Sequence, residues 1–178
     1  MSAVSLLFAK QPVDGACATV SMPVSTKLYR CTRDECDVLV IHEGATDEAS
    51  LVAMLGGPLT TTMFARCHAV GALPVASTLL ASRGLLVGIT DCGDATRLEE
   101  FHEFYDRVHA REVLDTGLYW RCRRLERDGA EATISRFFAL YDTEGAEPET
   151  YRQLRTRPMT TDWPACFVVR SVATYRAV

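Results

Sequence analysis

No C-x-x-C pair occurs among the seven cysteines (Cys17, Cys31, Cys36, Cys67, Cys92, Cys122 and Cys166), so zinc knuckles and thioredoxin-like chemistry lack support. Several of these cysteines lie in apolar, strand-like runs, where a free thiol behaves as a small core group. Cys67 and Cys122 have only arginines beside them in sequence, which leaves a reactive thiolate without a basic partner. Basic excess is missing as well. A net charge of −4 and a pI near 5.6 do not provide the phosphate neutralisation that nucleic acid binding needs, and they disfavour a membrane surface. Long apolar runs are absent. The stretch Met1 to Lys10 has no basic n-region and is too short for a signal peptide or a span, so the expectation is a cytoplasmic protein without membrane contact. No G-x-G-x-x-G, Walker-type string, G-x-S-x-G or H-E-x-x-H occurs, so nucleotide, serine-hydrolase and zinc-protease chemistry have no signature and no cofactor is expected.

What is present is a chain of 178 residues with 48% hydrophobic content, enough for one ordinary domain or two small ones. Internal similarity points to two. Gly56 to Ala65 lies over Thr156 to Ala165 without a gap, with Pro58, Thr60, Thr61 and Ala65 matched. The same offset of 100 residues sets Val38 to His42 over Phe138 to Asp142. Weaker, gapped matches join Leu28 to Cys31 with Leu118 to Cys122, and Val4 to Phe8 with Gly84 to Gly88. Duplication explains these matches better than chance similarity of short apolar strings.

The second copy reads as strand Gly84 to Ile89, a helix Asp94 to Leu114 opened by an Asp cap, and strands Leu118 to Leu125 and Ile134 to Tyr141 around an Asp128-Gly129 turn. A second helix, Pro148 to Arg155, and a closing strand, Phe167 to Tyr175, complete it. The order is β-α-β-β-α-β, the ferredoxin-like arrangement. The first copy follows the same order with its first helix shortened or replaced, because Pro12, Gly15 and Pro23 interrupt that stretch. The expected fold class is therefore α+β, with one diverged unit over 1–80 and a second over 81–178, packed as an intramolecular pseudo-dimer that leaves a homodimer open.

The string Phe101-His102-Glu103-Phe104-Tyr105-Asp106-Arg107-Val108-His109, followed by Phe138-Ala139-Leu140-Tyr141-Asp142, resembles the EthD-type dimeric α/β-barrel proteins over roughly Gly84 to Val178. Phe104 and Arg111 stand where that family usually carries Trp and Pro. The resemblance implies two four-stranded sheets closing into a barrel, with a small-molecule pocket between a sheet and its own helices. It also implies chemistry on aromatic or polyketide-like substrates: cyclases, dehydratases, isomerases, or cofactor-free and haem-dependent monooxygenases. A non-catalytic protein that binds a small molecule in the same cavity is the remaining alternative.

At about 100° per residue, Leu98, Phe101, Tyr105, Val108, His109 and Glu112 share one helical face. An inward imidazole one turn from a phenol suits proton transfer beside a carbonyl: His109 as general base and acid, Tyr105 as hydrogen-bond donor, Glu112 as orienting group or second acid/base. The bland alternative is a satisfied core histidine with Tyr105 as core. His102, at the edge of the face, is a candidate for binding rather than proton transfer, alongside Phe101 and Tyr141. Asp106 is expected to form a surface ion pair of small value with an arginine of the next element. The stripe His102, Asp106, His109 lacks the further groups a metal site needs. Tyr119, Trp120 and Arg121 would supply an aromatic wall and a guanidinium if their strand faces the pocket. His42 and His68 fall in first-copy strands and read as structural.

Overall fold

The strands β1 (Ala3–Lys10) and β5 (Gly84–Cys92) are apolar on both faces, as expected for strands covered on two sides, and each becomes an inner strand of a closed antiparallel sheet. The structure is a computed structural model that describes residues 3–11, 23, 25–55, 59–71, 82–129 and 136–178. The remaining elements are β2 (Thr26–Cys31), β3 (Asp37–Glu43), α1 (Glu48–Leu55), β4 (Thr60–Ala69), α2 (Leu98–Phe104), α3 (Ala110–Asp115), β6 (Arg121–Arg127), β7 (Phe137–Thr143), α4 (Glu149–Leu154) and β8 (Phe167–Ala177). A 3₁₀ turn, Ala95–Arg97, precedes α2, and a π turn, Tyr105–His109, joins α2 to α3. Among the described residues no helix is long and apolar enough to cross a membrane.

Around the barrel the strands run β4-β1-β3-β2-β8-β5-β7-β6, and pairing of β6 with β4 closes the ring. Each half of the chain thus contributes four consecutive strands, and the halves join through β2 with β8 and β4 with β6. Alternation along the strands separates three cores. Val4, Leu6, Phe8, Leu39, Ile41, Ala65, Leu85, Val87, Leu125, Phe138 and Leu140 fill the barrel and come from both halves. Leu7, Val38 and Val40 pack under Leu51 and Leu55 of α1. Leu86, Ala139 and Tyr141 pack under Phe101, Tyr105, Ala110, Val113 and Leu154.

The α+β class and the expected second-half elements are present with shifted ends: β5 continues to Cys92, β8 to Ala177, and β6 begins only at Arg121. The first-half helix between β1 and β2 and the join between the halves fall largely on 12–22 and 72–81, outside the described residues. The 100-residue offset needs correction. It sets Thr60 and Thr61, in β4, over Thr160 and Thr161, which lie in the loop before β8. It also sets Val38, facing α1, over Phe138, facing the barrel interior. A slip of one residue turns every side chain of a strand to the other face. The bulge after Phe8 in β1 has its counterpart after Ile89 in β5. With these aligned, Phe8 pairs with Leu39 as Ile89 pairs with Phe138, which sets Leu39 over Phe138, 99 positions on. Sequence matching was misled because apolar and Thr-rich strings recur at several phases.

Because both halves supply one barrel core, they should unfold together. Phe138→Ala and Leu39→Ala are each expected to cost about 3 kcal/mol or more and to shift one common urea transition. Two separate transitions, each responding to one substitution, would show instead that the halves hold independent cores.

Candidate functional site

The helical run after β5 begins at Asp94, whose carboxylate accepts from Thr96 N at 2.9 Å and from Thr96 Oγ1 at 2.7 Å, the cap that the sequence suggested. Its apolar residues then slip phase. After Phe101 and Tyr105 a regular helix would bring His109 and Glu112 onto the core, but the residues that can fill it are Ala110 and Val113. The π turn resolves the mismatch by taking up one extra residue, with Ala110 N donating to the Tyr105 carbonyl. Phe101, Tyr105, Ala110 and Val113 are buried as a result, while His109 and Glu112 stay half-buried at the edge.

Arg124 of β6 holds this turn in place. Its guanidinium donates to Asp106 Oδ1 at 2.5 Å and to His102 Nδ1 at 2.9 Å, and lies 4.3 Å from the centre of the Tyr105 ring. The Asp106 pair is therefore no surface contact: the side chains are 1% and 10% exposed for Arg124 and Asp106. Gly71, at φ +89°, packs so closely on this carboxylate that an added Cβ would lie 2.6 Å from Asp106 Oδ1. His102 is thereby committed to Arg124, and burial, followed by the Arg124 charge, lowers its pKa.

On the opposite side of the turn lies a cavity of about 560 Å³ between the second-half sheet, the helical run, α4 and the segment 157–163. Leu86, Gly88, Thr90, Val169 and Val172 form its sheet wall; Tyr105, His109 and Val113 its helix wall; Tyr151, Leu154, Met159 and Trp163 close it. Tyr141 Oη donates to Tyr105 Oη at 3.5 Å. The His109 ring lies edge-on to Tyr105, centroids 5.2 Å apart, and packs on Trp163 at 4.9 Å. Burial pushes the His109 pKa down to about 4 and raises those of Tyr105 and Tyr141, so imidazole and both phenols are neutral at pH 7.

The structure thus brings Tyr105, His109 and Tyr141 together and disperses the other expected site residues. Glu112 Oε1 accepts from Thr160 N at 3.0 Å, tying the cavity-closing segment to α3. Phe101 is core, packed at a tilt between Phe137 and Phe167. Tyr119 donates to Glu147 Oε1 at 2.6 Å, away from the cavity lining. Trp120 is 46% exposed and lies over Arg121, while Arg121 turns into the barrel and donates to Asp142 Oδ2 at 2.8 Å. His42 bonds Thr26 across two strands, and His68 bonds Asp128 at the surface. Buried Cys67 and Cys122 have thiols pushed up to about 12 by desolvation, which removes thiolate nucleophiles at neutral pH. Sequence reasoning missed Gly88, Arg155, Arg157, Trp163 and Phe167 as lining residues. The phase slip from Tyr105 to Ala110 was the legible signal for the turn; nothing comparable marked the loop.

No protein-family description and no curated protein sequence matches the chain. Solved structures match along its whole length. A heme-binding protein from Thermus thermophilus is 9% identical with a TM-score of 0.63, covering 100% of this chain and 92% of that one. An anthrone oxidase-like protein is 12% identical with a TM-score of 0.59, covering 99% and 91%. A mutant chlorite dismutase from Candidatus Nitrospira defluvii is likewise 12% identical with a TM-score of 0.59, covering 99% and 91%. The chain has the chlorite dismutase-like α+β barrel fold.

Removing Asp106 would leave Arg124 buried without its carboxylate, so Asp106→Ala should lower stability by about 3 to 5 kcal/mol, and Asp106→Leu combined with Arg124→Met should recover part of the loss. A cost below about 1 kcal/mol in urea unfolding would show the pair to be unimportant. The His109 pKa gives a second expectation. Above pH 6.5 the ring is neutral folded and unfolded; between 6.5 and about 4 only the unfolded chain takes the proton. Stability should therefore fall by at most about 3 kcal/mol as pH drops through that window, and His109→Phe should flatten that part of the profile.

Proposed function

We propose that the cavity binds an aromatic or polyketide-like small molecule and that the protein is an enzyme which removes a proton from a carbon next to a carbonyl. The observation that carries this is the cluster of His109, Tyr105 and Tyr141 on the wall of an otherwise apolar cavity. We also infer that the halves, 1–80 and 81–178, are diverged ferredoxin-like units forming a pseudo-dimer within one chain. The repeated strand order and the matching bulges support this.

In the proposed step a neutral ring nitrogen of His109 takes the proton, the C–H electron pair moves into the carbonyl, and the oxyanion accepts a hydrogen bond from the Tyr105 phenol. Tyr141 keeps that phenol polarised by donating to its oxygen. The low dielectric of the apolar wall strengthens a hydrogen bond to the new anion and the attraction between that anion and imidazolium. Imidazolium then returns the proton at a different atom, which gives isomerisation or assists loss of water or ring closure. Glu112 acts here as a positioning residue through Thr160. Direct reaction of the enolate with oxygen is a second reading, favoured by the shared fold with an anthrone oxidase-like protein; rates with and without oxygen distinguish the two.

Haem suits the site poorly. A metal-ligating imidazole is normally fixed by a hydrogen bond from its second nitrogen. No described residue makes one to His109, and Phe104, Tyr105, Trp163 and Phe167 crowd the ring with centroids between 4.9 and 6.5 Å. A hemin titration should give no saturable Soret band that His109→Ala abolishes.

The test uses exchange of α-protons of an aromatic ketone such as 2-tetralone in deuterated water, followed by NMR. His109→Ala should slow exchange by about 10² to 10⁴-fold, and Tyr105→Phe by about 10-fold or more. Since the base is neutral imidazole, the rate should hold from pH 8 down to 5 and decline only towards about 4. Both variants exchanging at full rate would sink the proposal.

A further inference from the structure

We propose that the ligand of this cavity is an aromatic carboxylate, bound with its carboxylate at Arg155 and Arg157 and its reacting carbon at the phenol end. The inference rests on the cavity as a ligand site and adds the class of molecule and its direction of entry. Among the described residues that line the cavity, Arg155 and Arg157 are the ones charged at neutral pH, both positive, and no Asp or Glu joins them. In a chain of net charge −4, two like charges beside apolar walls run against the overall balance.

Their placement is one-sided. Arg155 and Arg157 are exposed, whereas Tyr105 and Tyr141 are each 2% exposed. Cations therefore mark the mouth and neutral donors the floor. Both arginines are set by local structure: Arg155 N donates to Tyr151 O at 3.1 Å at the end of α4, and Arg157 N donates to Leu154 O at 3.0 Å where the chain turns towards Met159. Among the described residues neither has an acidic partner, while the nearby Arg152 is paired with Glu149. Two guanidinium forks next to an apolar slot match a planar carboxylate on an aromatic ring, because each can offer parallel N–H donors. A neutral ligand would gain nothing from them. At the floor a carboxylate would have neutral phenols beside it, Tyr141 and Tyr105, and no guanidinium fork to pair with.

The probes are 2-naphthoate and its neutral isostere 2-naphthamide, titrated against the full chain by fluorescence at low and high salt. Naphthoate should bind about tenfold more tightly at low salt, with the gap narrowing as salt rises. Arg155→Gln combined with Arg157→Gln should reduce the preference to less than about twofold, whereas the matching pair of lysine substitutions should keep part of it. Unchanged thermal midpoints certify that these surface variants fold. His109→Ala should keep the preference, so this proposal and the proton-transfer proposal fail separately. Equal binding of the two probes, a preference that survives in the double glutamine variant, or no saturable naphthoate binding at millimolar concentration would each overturn the assignment.

Discussion

The second half of the molecule is organised by one buried guanidinium. Arg124 points from β6 into the layer between sheet and helix, where an uncompensated charge would be costly. Asp106 answers it, and the demand that Asp106 reach inward fixes the rotation of the helix at that point. A regular helix that keeps Phe101 and Tyr105 on the core cannot also present Ala110 and Val113 to it. One extra residue in the turn reconciles the two, and His109 and Glu112 are what the adjustment leaves at the edge. The imidazole thus reaches the cavity because two sets of core residues, Phe101 with Tyr105 and Ala110 with Val113, are out of phase on a regular helix. π turns are rare, and here the cause of one is visible in the residues.

The chemistry proposed for the cavity follows from desolvation. Three groups that can exchange protons, His109, Tyr105 and Tyr141, are packed against aromatic and aliphatic side chains, and all are held neutral. In the proposed reaction such a site would take a neutral carbonyl without first displacing a charge. It can stabilise an anion that forms later, because the donors are already oriented. Arg124 lies behind the Tyr105 ring and contributes positive potential without entering the cavity.

Much of this was legible in the sequence, and the failures have definite causes. The two-face apolar runs of β1, β5 and β7 and the Asp94 cap are strong local signals, and they placed the α+β layers and the helix. The Tyr105 and His109 pairing survived because a π turn and an α turn both leave residues four apart as neighbours. Asp106 was read as a surface residue because an isolated Asp-Arg pair carries no sign of its own burial. Tyr119, Trp120 and Arg121 were read as one alternating strand, but the strand begins at Arg121, so alternation says nothing about the two aromatics before it. The repeat register failed because similarity scoring ignores which face of a strand a residue occupies.

That corrected register explains why the halves differ in kind. With the bulges after Phe8 and Ile89 aligned, Leu7 occupies the position of Gly88, and Ala9 that of Thr90. Leu7 is fully buried and packs under α1 with Val38, Val40, Leu51 and Leu55. Gly88 has no side chain, and the space it leaves lies directly before the Tyr105 hydroxyl, 3.6 Å from where a Cβ would stand. A leucine there would project into the cavity and against the phenol that the proposed chemistry requires. One half therefore uses its outer sheet face to anchor a helix, while the other gives up packing at the same point and gains a cavity. The shared barrel core, built from both, lets the second half carry that cost.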